Sequence, residues 1–507
     1  MQPGPLSAGR LIESAGRELG DVPRHAGAIE TRGTLAGRWE RVHYDSRKVA
    51  PGDLFVAIRG LASDGHAHVT GALERGAAAA VVEEFQPGLR IPQIRVADSR
   101  RALALLAEVE TGDPSRELTM VGVTGTNGKT TTAHLIRAAL EARGDRAGVL
   151  GTVGNSFEGE ETPAPHTTPE APDLLRTLRR WRDRGATAVS MEVSSHALAL
   201  ERTYGVSFDA GVFTNLTQDH LDFHGTLDAY RDAKARLFRS ESRGDAAKPF
   251  TGVLNVDDPA GVWIRERSDG RTLGFGMSRE ADVAAEDVRY EGTGTRLRIR
   301  SAHGSQSVAL RLRGAFNVMN ALAAFAAGIA LGLAPKAIAA GLESVRSVPG
   351  RLEPVDLGQP FQVLVDYAHT PDALTRALDA VRAMEPRRVL CVFGAGGDRD
   401  RGKRPLMGAA AVRGADLVFL TSDNPRSEDP ESILAAIQAG TDGAPNVRTI
   451  VDRAEAIRAA VDACEDGDAL LIAGKGHETY QILGSRTIDF DDRLVARAAL
   501  EARGYRA

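Results

Sequence analysis

The stretch "LTMVGVTGTNGKTTTAHLIRAALEARG", residues 118–144, decides the fold. It opens on an apolar run, passes through a loop with two glycines and a lysine, and continues in a helical pattern that ends at Gly144. Strand, glycine loop and helix in that order make a cradle for phosphates. Gly125 and Gly128 let the backbone approach closely, while Lys129 and the first N–H groups of the helix supply positive potential. Thr126, Asn127 and Thr131 complete the loop, and the Thr130 hydroxyl suits Mg²⁺. The strict nucleotide-loop pattern asks for glycine at the place of Val123, so the pattern departs by one residue while its context holds. A glycine turn without ligand would have little use for Lys129.

Outward from this loop the chain divides into three. Residues 1–115 mix short apolar runs ("GDLFVAIRG", "GAAAAVVEE", "IPQIRVADS") with turns, and "TGDPSREL" (111–118) reads as a linker. Residues 116–347 alternate strand-like runs with helical ones, which argues for a parallel α/β sheet of P-loop type. From residue 348 the pattern restarts with "FQVLVDYA", "RRVLCVFG", "ADLVFLTS", "NVRTIVD" and "ALLIAGKG", a doubly wound, Rossmann-like unit. The predicted class is α/β with three domains, in keeping with 507 residues, too many for one core.

Bulk properties exclude several functions. A net charge of -5 argues against a general nucleic-acid binder. Cys391 and Cys464 give neither a disulfide framework nor zinc spacing, and their scarcity fits a reducing cytoplasm. The first residues lack the apolar core of a signal peptide, and no apolar run is long enough for a membrane span. Of 63 basic residues only seven are lysines. A lysine is therefore expected where arginine will not serve, which draws notice to Lys129, Lys234 and Lys475.

The polar clusters fall at strand ends, where open α/β sheets bind ligands. "SMEVSSHAL" puts Glu192 there, a carboxylate suited to Mg²⁺ beside phosphates. "FTNLTQDHLDFHG" puts Asn215, Asp219 and His220 after the next strand, and "YRDAKARLF" is a helix carrying Lys234. "GAFNVMNALAA" sets Asn317 and Asn320 on one helical face, either as packing residues or toward a nucleotide. "DYAHTPDAL" offers Asp366 and His369, and "FGAGGDRDRGKRP" offers Arg399 with further basic residues. "TSDNPRSEDP" places Arg426 at a strand's carboxyl end, either as a ligand-reading fork or paired with Glu428 or Asp429 in a surface turn.

Together, "GTNGKTT", "MEVSSH", "TNLTQDHLDFHG", "FNVMNALAA", "PGRLE" and "DYAHTPD", in this order, resemble the Mur ligase family over nearly the whole chain. The late motifs "GGDRDRGKRP" and "DNPR" are similar to those of members that join meso-diaminopimelate to the D-Glu γ-carboxylate of UDP-N-acetylmuramoyl-L-Ala-D-Glu, using ATP. The resemblance implies roles. Lys129 would contact the ATP phosphates, with Thr130, Glu192 and His220 holding Mg²⁺. Asn317, Asn320, Arg351 and Asp366 would position the nucleotide, Asp366 on its ribose. Lys234 would be carbamylated, which arginine cannot be, since the reaction with CO₂ needs a neutral amine.

The first domain would bind the uridine nucleotide, with Tyr44 and Ser46 near it. Thr167, Thr168, Ser194 and Arg202 would meet the muramoyl dipeptide. Arg399, Asp423, Asn424, Pro425, Arg426, Gly474 and Glu478 would surround diaminopimelate, with Arg426 on the distal carboxylate that lysine lacks. The resemblance implies a cytoplasmic monomer acting on small molecules. Competing readings are the lysine-adding sister enzyme, against which "DNPR" argues, and a folylpolyglutamate synthase-like ligase, which should lack the first domain. Two more distant ones are a P-loop switch or kinase, which needs no amine-binding domain, and a non-catalytic scaffold.

Overall fold

In the computed structural model, residues 17–60, 63–164, 166–245, 247–291 and 294–506 are described. The stretch read for a signal peptide, residues 1–16, lies outside them. Three sheets organise the rest. The first carries the strands Ala28–Arg32, Gln93–Val96, Ala79–Val82, Leu54–Val56 and Val42–His43 in that order, parallel except for the Ala28–Arg32 edge.

The second sheet is built around Thr119–Thr124. This strand lies between Ala188–Glu192 and Ala210–Phe213, parallel to both, and is buried along nearly all its length. Layers on both faces require that apolar run. The helix Lys129–Arg143 packs against Ala315–Ala330 and Pro335–Ser344, closing one core of Val, Leu, Ala and Phe side chains. Seven strands from Ala147–Gly151 to Val283–Glu291 run parallel, the sheet expected from sequence. The structure adds antiparallel strands at both edges, Gly154–Phe157 with Glu160–Thr162 and Gly294–Ser301 with Gly304–Leu310. Connection length is the reason. Gly151 pairs with Gly154 and Ser301 with Gly304, and turns so short cannot hold a crossover helix.

The third sheet runs Glu353–Pro354, Gln362–Asp366, Ala469–Ala473, Val389–Phe393, Leu417–Leu420, Val447–Thr449, with separate cores on its two faces, as a doubly wound unit requires. A hairpin, Tyr480–Leu483 with Arg486–Asp489, stands apart from it.

The segment read as a linker is packed instead. Gly112 ends the helix Ser99–Thr111, a short turn follows at Pro114–Arg116, and Ser115 is fully buried. Lys248 Nζ donates to the carbonyls of Ser115, Leu118 and Ser207 at 2.7–2.9 Å, replacing water for groups that burial would otherwise strand. Arg176, from the helix Ala171–Asp183, pairs with Glu110 and donates to the Val42 carbonyl, tying the first sheet to the second. The carboxyl ends of the second and third sheets face one cavity of about 330 Å³.

Candidate active site

The loop between Thr124 and Lys129 forms the floor of this cavity. Its glycines are obligatory. Gly128 has φ 86°, and a Cβ there would stand 2.3 Å from Asn320 Oδ1; one on Gly125 would stand 1.9 Å from Thr214 Oγ1. The Gly125 carbonyl accepts from both Lys129 Nζ (3.0 Å) and Lys234 Nζ (2.8 Å). Lys234 is buried on the helix Leu227–Ala235, its Nζ 4.2 Å from the centre of the Tyr230 ring. Burial, then the Lys129 charge, hold the Lys234 amine well below its ordinary pKa, against the pull of Asp219. Lys129 is lowered too, by burial, with Glu192 and Asp219 opposing.

Glu192 ends its strand buried, 1% exposed. Its carboxylate accepts from the Thr152 N–H at 2.7 Å and the Thr152 hydroxyl at 3.2 Å, which aims it into the cavity, where the Lys129 charge attracts it without a direct ion pair among the described residues. His220 lines the same cavity in a left-handed conformation (φ 52°), with Nε2 3.3 Å from Asp219 Oδ2. Burial lowers its pKa to about 4, so the ring is neutral and able to ligate. Glu192, His220 and the Thr130 hydroxyl form a mixed donor set, and no group of three or more His, Cys, Asp or Glu among the described residues is placed to hold a metal. This suits Mg²⁺ shared with phosphates and water rather than a closed protein cage.

The third sheet supplies the roof. Arg351 NH2 donates to Thr130 Oγ1 at 2.9 Å, and its guanidinium lies 5.0 Å from the centre of the Tyr367 ring. Asp366 accepts from the N–H groups of Leu352 (2.8 Å) and Ala368 (2.9 Å), and burial raises its pKa despite Arg351. Asp372 accepts from Asn127 Nδ2 (3.0 Å) and the Thr217 hydroxyl (3.2 Å), a direct tie between roof and floor. Asn320 lines the cavity; Asn317 stands behind it, accepting from Asn320 Nδ2 at 2.9 Å.

The Asp423–Arg426 loop lies beside Gly474–Glu478. Asn424 Nδ2 donates to Glu478 Oε2 at 2.9 Å, and Lys475 Nζ donates to Asn424 Oδ1 (3.2 Å) and Glu478 (3.1 Å). Burial raises the Glu478 pKa, with Lys475 opposing. Arg426 (φ 53°) is pinned by its backbone to the hairpin, its N–H donating to the Ile482 carbonyl at 3.2 Å. Its guanidinium donates to the Gly397 carbonyl at 2.7 Å, and no carboxylate among the described residues pairs with it. Glu428 is taken instead by Arg404 and Arg401, and Asp429 caps the helix Pro430–Gln438. The surface-turn reading of Arg426 thus loses both proposed partners. Arg399 is exposed nearby, donating to the Asp398 carbonyl.

Other predicted residues fall outside the cavity. The Thr168 hydroxyl is fully buried between the Glu192 carbonyl and the Ser194 N–H, so it shapes the strand end rather than meeting solvent. Thr167 and Ser194 do line the cavity. Arg202 pairs with Glu170 at 2.9 Å, Tyr44 donates to Asp173 at 2.7 Å, and Ser46 opens a short turn, all toward the first sheet. Sequence reasoning missed Thr152 and Asp372. Thr152 sits on a hairpin with no polar cluster, but Asp372 was legible as an acidic residue in the first turn of a helix.

Three family models match the chain: "Mur ligase family, catalytic domain" over residues 39–111, "Mur ligase middle domain" over 123–328 and "Mur ligase, glutamate ligase domain" over 350–476. The UDP-N-acetylmuramoyl-L-alanyl-D-glutamate–2,6-diaminopimelate ligase of Geobacillus thermodenitrificans (strain NG80-2) is 49% identical over 461 residues, 90% of this chain and 94% of its own length. The same-named enzyme of Geobacter metallireducens is 45% identical over 502 residues, 95% and 98% of the two chains. A solved structure of an enzyme of that name is 34% identical with TM-score 0.69, covering 97% of this chain and 100% of its own. The MurF ligase of Thermotoga maritima in complex with ADP shares the fold at 20% identity, with TM-score 0.62 over 92% and 98% of the two chains.

Proposed function

The chain belongs to the Mur ligase family, and we infer that it adds 2,6-diaminopimelate to UDP-N-acetylmuramoyl-L-alanyl-D-glutamate in an ATP- and Mg²⁺-dependent step of peptidoglycan precursor synthesis. The observation that carries this is the convergence in one cavity of Lys129, Glu192, His220 and Lys234 with Arg351 and Asp366 from the facing sheet. A carboxylate is a poor acyl donor. The γ-carboxylate oxygen of D-Glu attacks the terminal phosphorus of ATP and expels ADP. The amine of diaminopimelate then attacks the acyl phosphate, phosphate leaves, and the nitrogen gives up its proton. Negative charge builds on the transferring phosphoryl group, where Lys129 and the helix N–H groups stabilise it. Mg²⁺, when bound through Glu192, His220 and Thr130, supplies further neutralisation there.

The site assignments rest on chemistry. Gly125–Thr131 as a phosphate cradle is supported by its two glycines and converging N–H groups. Asn320, held by Asn317 behind it, and Arg351 with Asp366 are read as nucleotide-positioning groups, since Asn320 and the Arg351–Asp366 pair border the cradle from opposite sides. Lys234 is read as carbamylated. Its shared carbonyl with Lys129 disfavours a second ammonium, leaving a nucleophilic amine for CO₂. Residues 1–115 are assigned the uridine nucleotide, through Tyr44 and Ser46, and residues 116–347 the ATP. Thr167, Ser194 and Arg202, with Thr168 behind them, are assigned the dipeptide. Residues 348–507 are assigned the amino acid, with Arg399, Asp423, Asn424, Pro425, Gly474 and Glu478 around it.

Arg426 is the specificity reader in this account. Its unpaired fork suits the distal carboxylate of diaminopimelate, a charge-assisted contact worth roughly 1.5–3 kcal/mol. Lysine would leave the guanidinium unmatched, so the same residue rejects it. We place the enzyme in the cytoplasm, where ATP and a UDP-linked substrate meet. It is read as a monomer, since one chain supplies the whole cavity. No helix among the described residues is long and apolar enough to cross a membrane.

Phosphate release from ATP with the UDP-dipeptide tests the reading, run with meso-diaminopimelate, with L-lysine and with neither. Turnover with diaminopimelate alone is expected. Preference for lysine would overturn the role of Arg426, and equal release in all three would reduce the protein to an ordinary ATPase.

A further inference from the structure

Arg453 opens the helix Arg453–Ala463, and Asp492 opens the helix Asp492–Ala502. They form a buried ion pair, 1% and 0% exposed. A carboxylate at a helix N-terminus is favourable, but a guanidinium there opposes the helix dipole. Burying it also demands excellent geometry to offset the water it loses. Helix stability therefore does not explain Arg453.

Its donors do. Nε and NH2 each meet an Asp492 carboxylate oxygen at 2.7 Å, which leaves the rest of the fork free for backbone. NH1 donates to the Ser422 carbonyl at 3.3 Å and NH2 to the Ala473 carbonyl at 3.0 Å. Those carbonyls immediately precede Asp423 and Gly474, the first residues of the two loops assigned to the amino acid. The strands that lead into these loops, Leu417–Leu420 and Ala469–Ala473, are not neighbours, because Val389–Phe393 lies between. No ladder hydrogen bond joins the two loop bases directly; Arg453 bridges them at their roots, below the Asn424–Glu478 and Lys475–Asn424 contacts farther along the loops. The fit is close. A Cβ on Gly474 would stand 2.8 Å from Asp423 Oδ2 and 3.9 Å from Arg453 NH2.

We propose that Arg453, held in plane by Asp492, is a positioning residue for the amino-acid substrate. It sets the separation of the Asp423–Arg426 and Gly474–Glu478 loops without touching the ligand. The inference rests on the reading that these loops bind diaminopimelate.

Two variants test it. R453M/D492L replaces the pair by apolar side chains, a swap that buried ion pairs tolerate, and removes both carbonyl contacts. R453K keeps the charge, but one ammonium cannot serve the Asp492 fork and two carbonyls at once. Steady-state kinetics and thermal melts are taken for each, with wild type and R426A alongside. The expected result is a KM for diaminopimelate raised about tenfold or more in both variants, KM for ATP within twofold of wild type, and a folded protein. R453K decides if the double variant does not fold. A folded variant with KM for diaminopimelate within twofold of wild type, or with both KM values rising together, overturns the proposal. If R426A also keeps the wild-type KM, the loop assignment itself has failed and the proposal falls with it. If R426A loses diaminopimelate and the Arg453 variants do not, only the positioning role is lost.

Discussion

Lys129 and Lys234 donate to one carbonyl, and the Lys129 charge beside it disfavours a charged Lys234. Lys234→Arg keeps a long side chain but brings a permanent positive charge and cannot react with CO₂. It is expected to lower kcat on the order of 100-fold or more, the usual cost of removing a positioned charge from a phosphoryl-transfer site, with KM for ATP little changed. Phosphate release checks this, and full activity in the variant would remove carbamylation from the account. At Gly128 the constraint is steric. With φ 86° and Asn320 Oδ1 2.3 Å from any Cβ, Gly128→Ala must distort the cradle. A KM for ATP raised about tenfold or more is expected, with folding retained by circular dichroism. At Arg426, Arg426→Lys keeps a cation but loses the fork. The diaminopimelate-over-lysine preference should fall roughly tenfold, the low end of a charge-assisted contact, read from the ratio of kcat/KM values.

Among the elements, the helix Lys129–Arg143 carries His134, whose pKa burial lowers from 6.5 to about 4. The unfolded chain takes up a proton near pH 6.5, and the folded chain resists until about pH 4. The folded state therefore loses stability as pH falls through that window, by on the order of 3 kcal/mol if the whole shift is realised. Urea melts on either side of the window should show the loss, and His134→Gln should reduce it, the similarly lowered His220, His224 and His477 contributing the rest. The helix Pro371–Arg382 presents Asp372 in its first turn, where the dipole favours a carboxylate, and so ties the facing sheet to Asn127 and Thr217. At this scale much was legible from sequence. The buried strands, the helix ending at Gly144 and the start at Pro371 follow from period and capping. The edge strand Gly294–Ser301 was legible too, as Leu297 and Ile299 point inward between outward-facing arginines, but the reading of continuous apolar runs passed over its alternation.

For the molecule as a whole, the cavity exists only because two sheets face each other. Arg351 sits on the hydroxyl of Thr130; on the proposed reading, binding of ATP with Mg²⁺ exchanges that contact for phosphate. A non-hydrolysable ATP analogue with Mg²⁺ is expected to stabilise the protein by about 2.7 kcal/mol at a hundred times its Kd. A melt with and without ligand measures it, and Lys129→Ala should abolish the shift. By itself the sequence determined the α/β class, the strand–glycine loop–helix around Gly125–Lys129 and the residue types at each strand end. Those depend on local periodicity, glycine conformation and side-chain chemistry, all of which are written in consecutive residues. The tertiary structure alone decided that Lys234 and Lys129 share a carbonyl, that Glu428 turns to Arg404 and leaves Arg426 without a carboxylate partner among the described residues, and that Arg453 bridges the ends of two non-adjacent strands. These are contacts between groups far apart in the chain, and their partners are chosen by how helices and sheets pack, which no short pattern records.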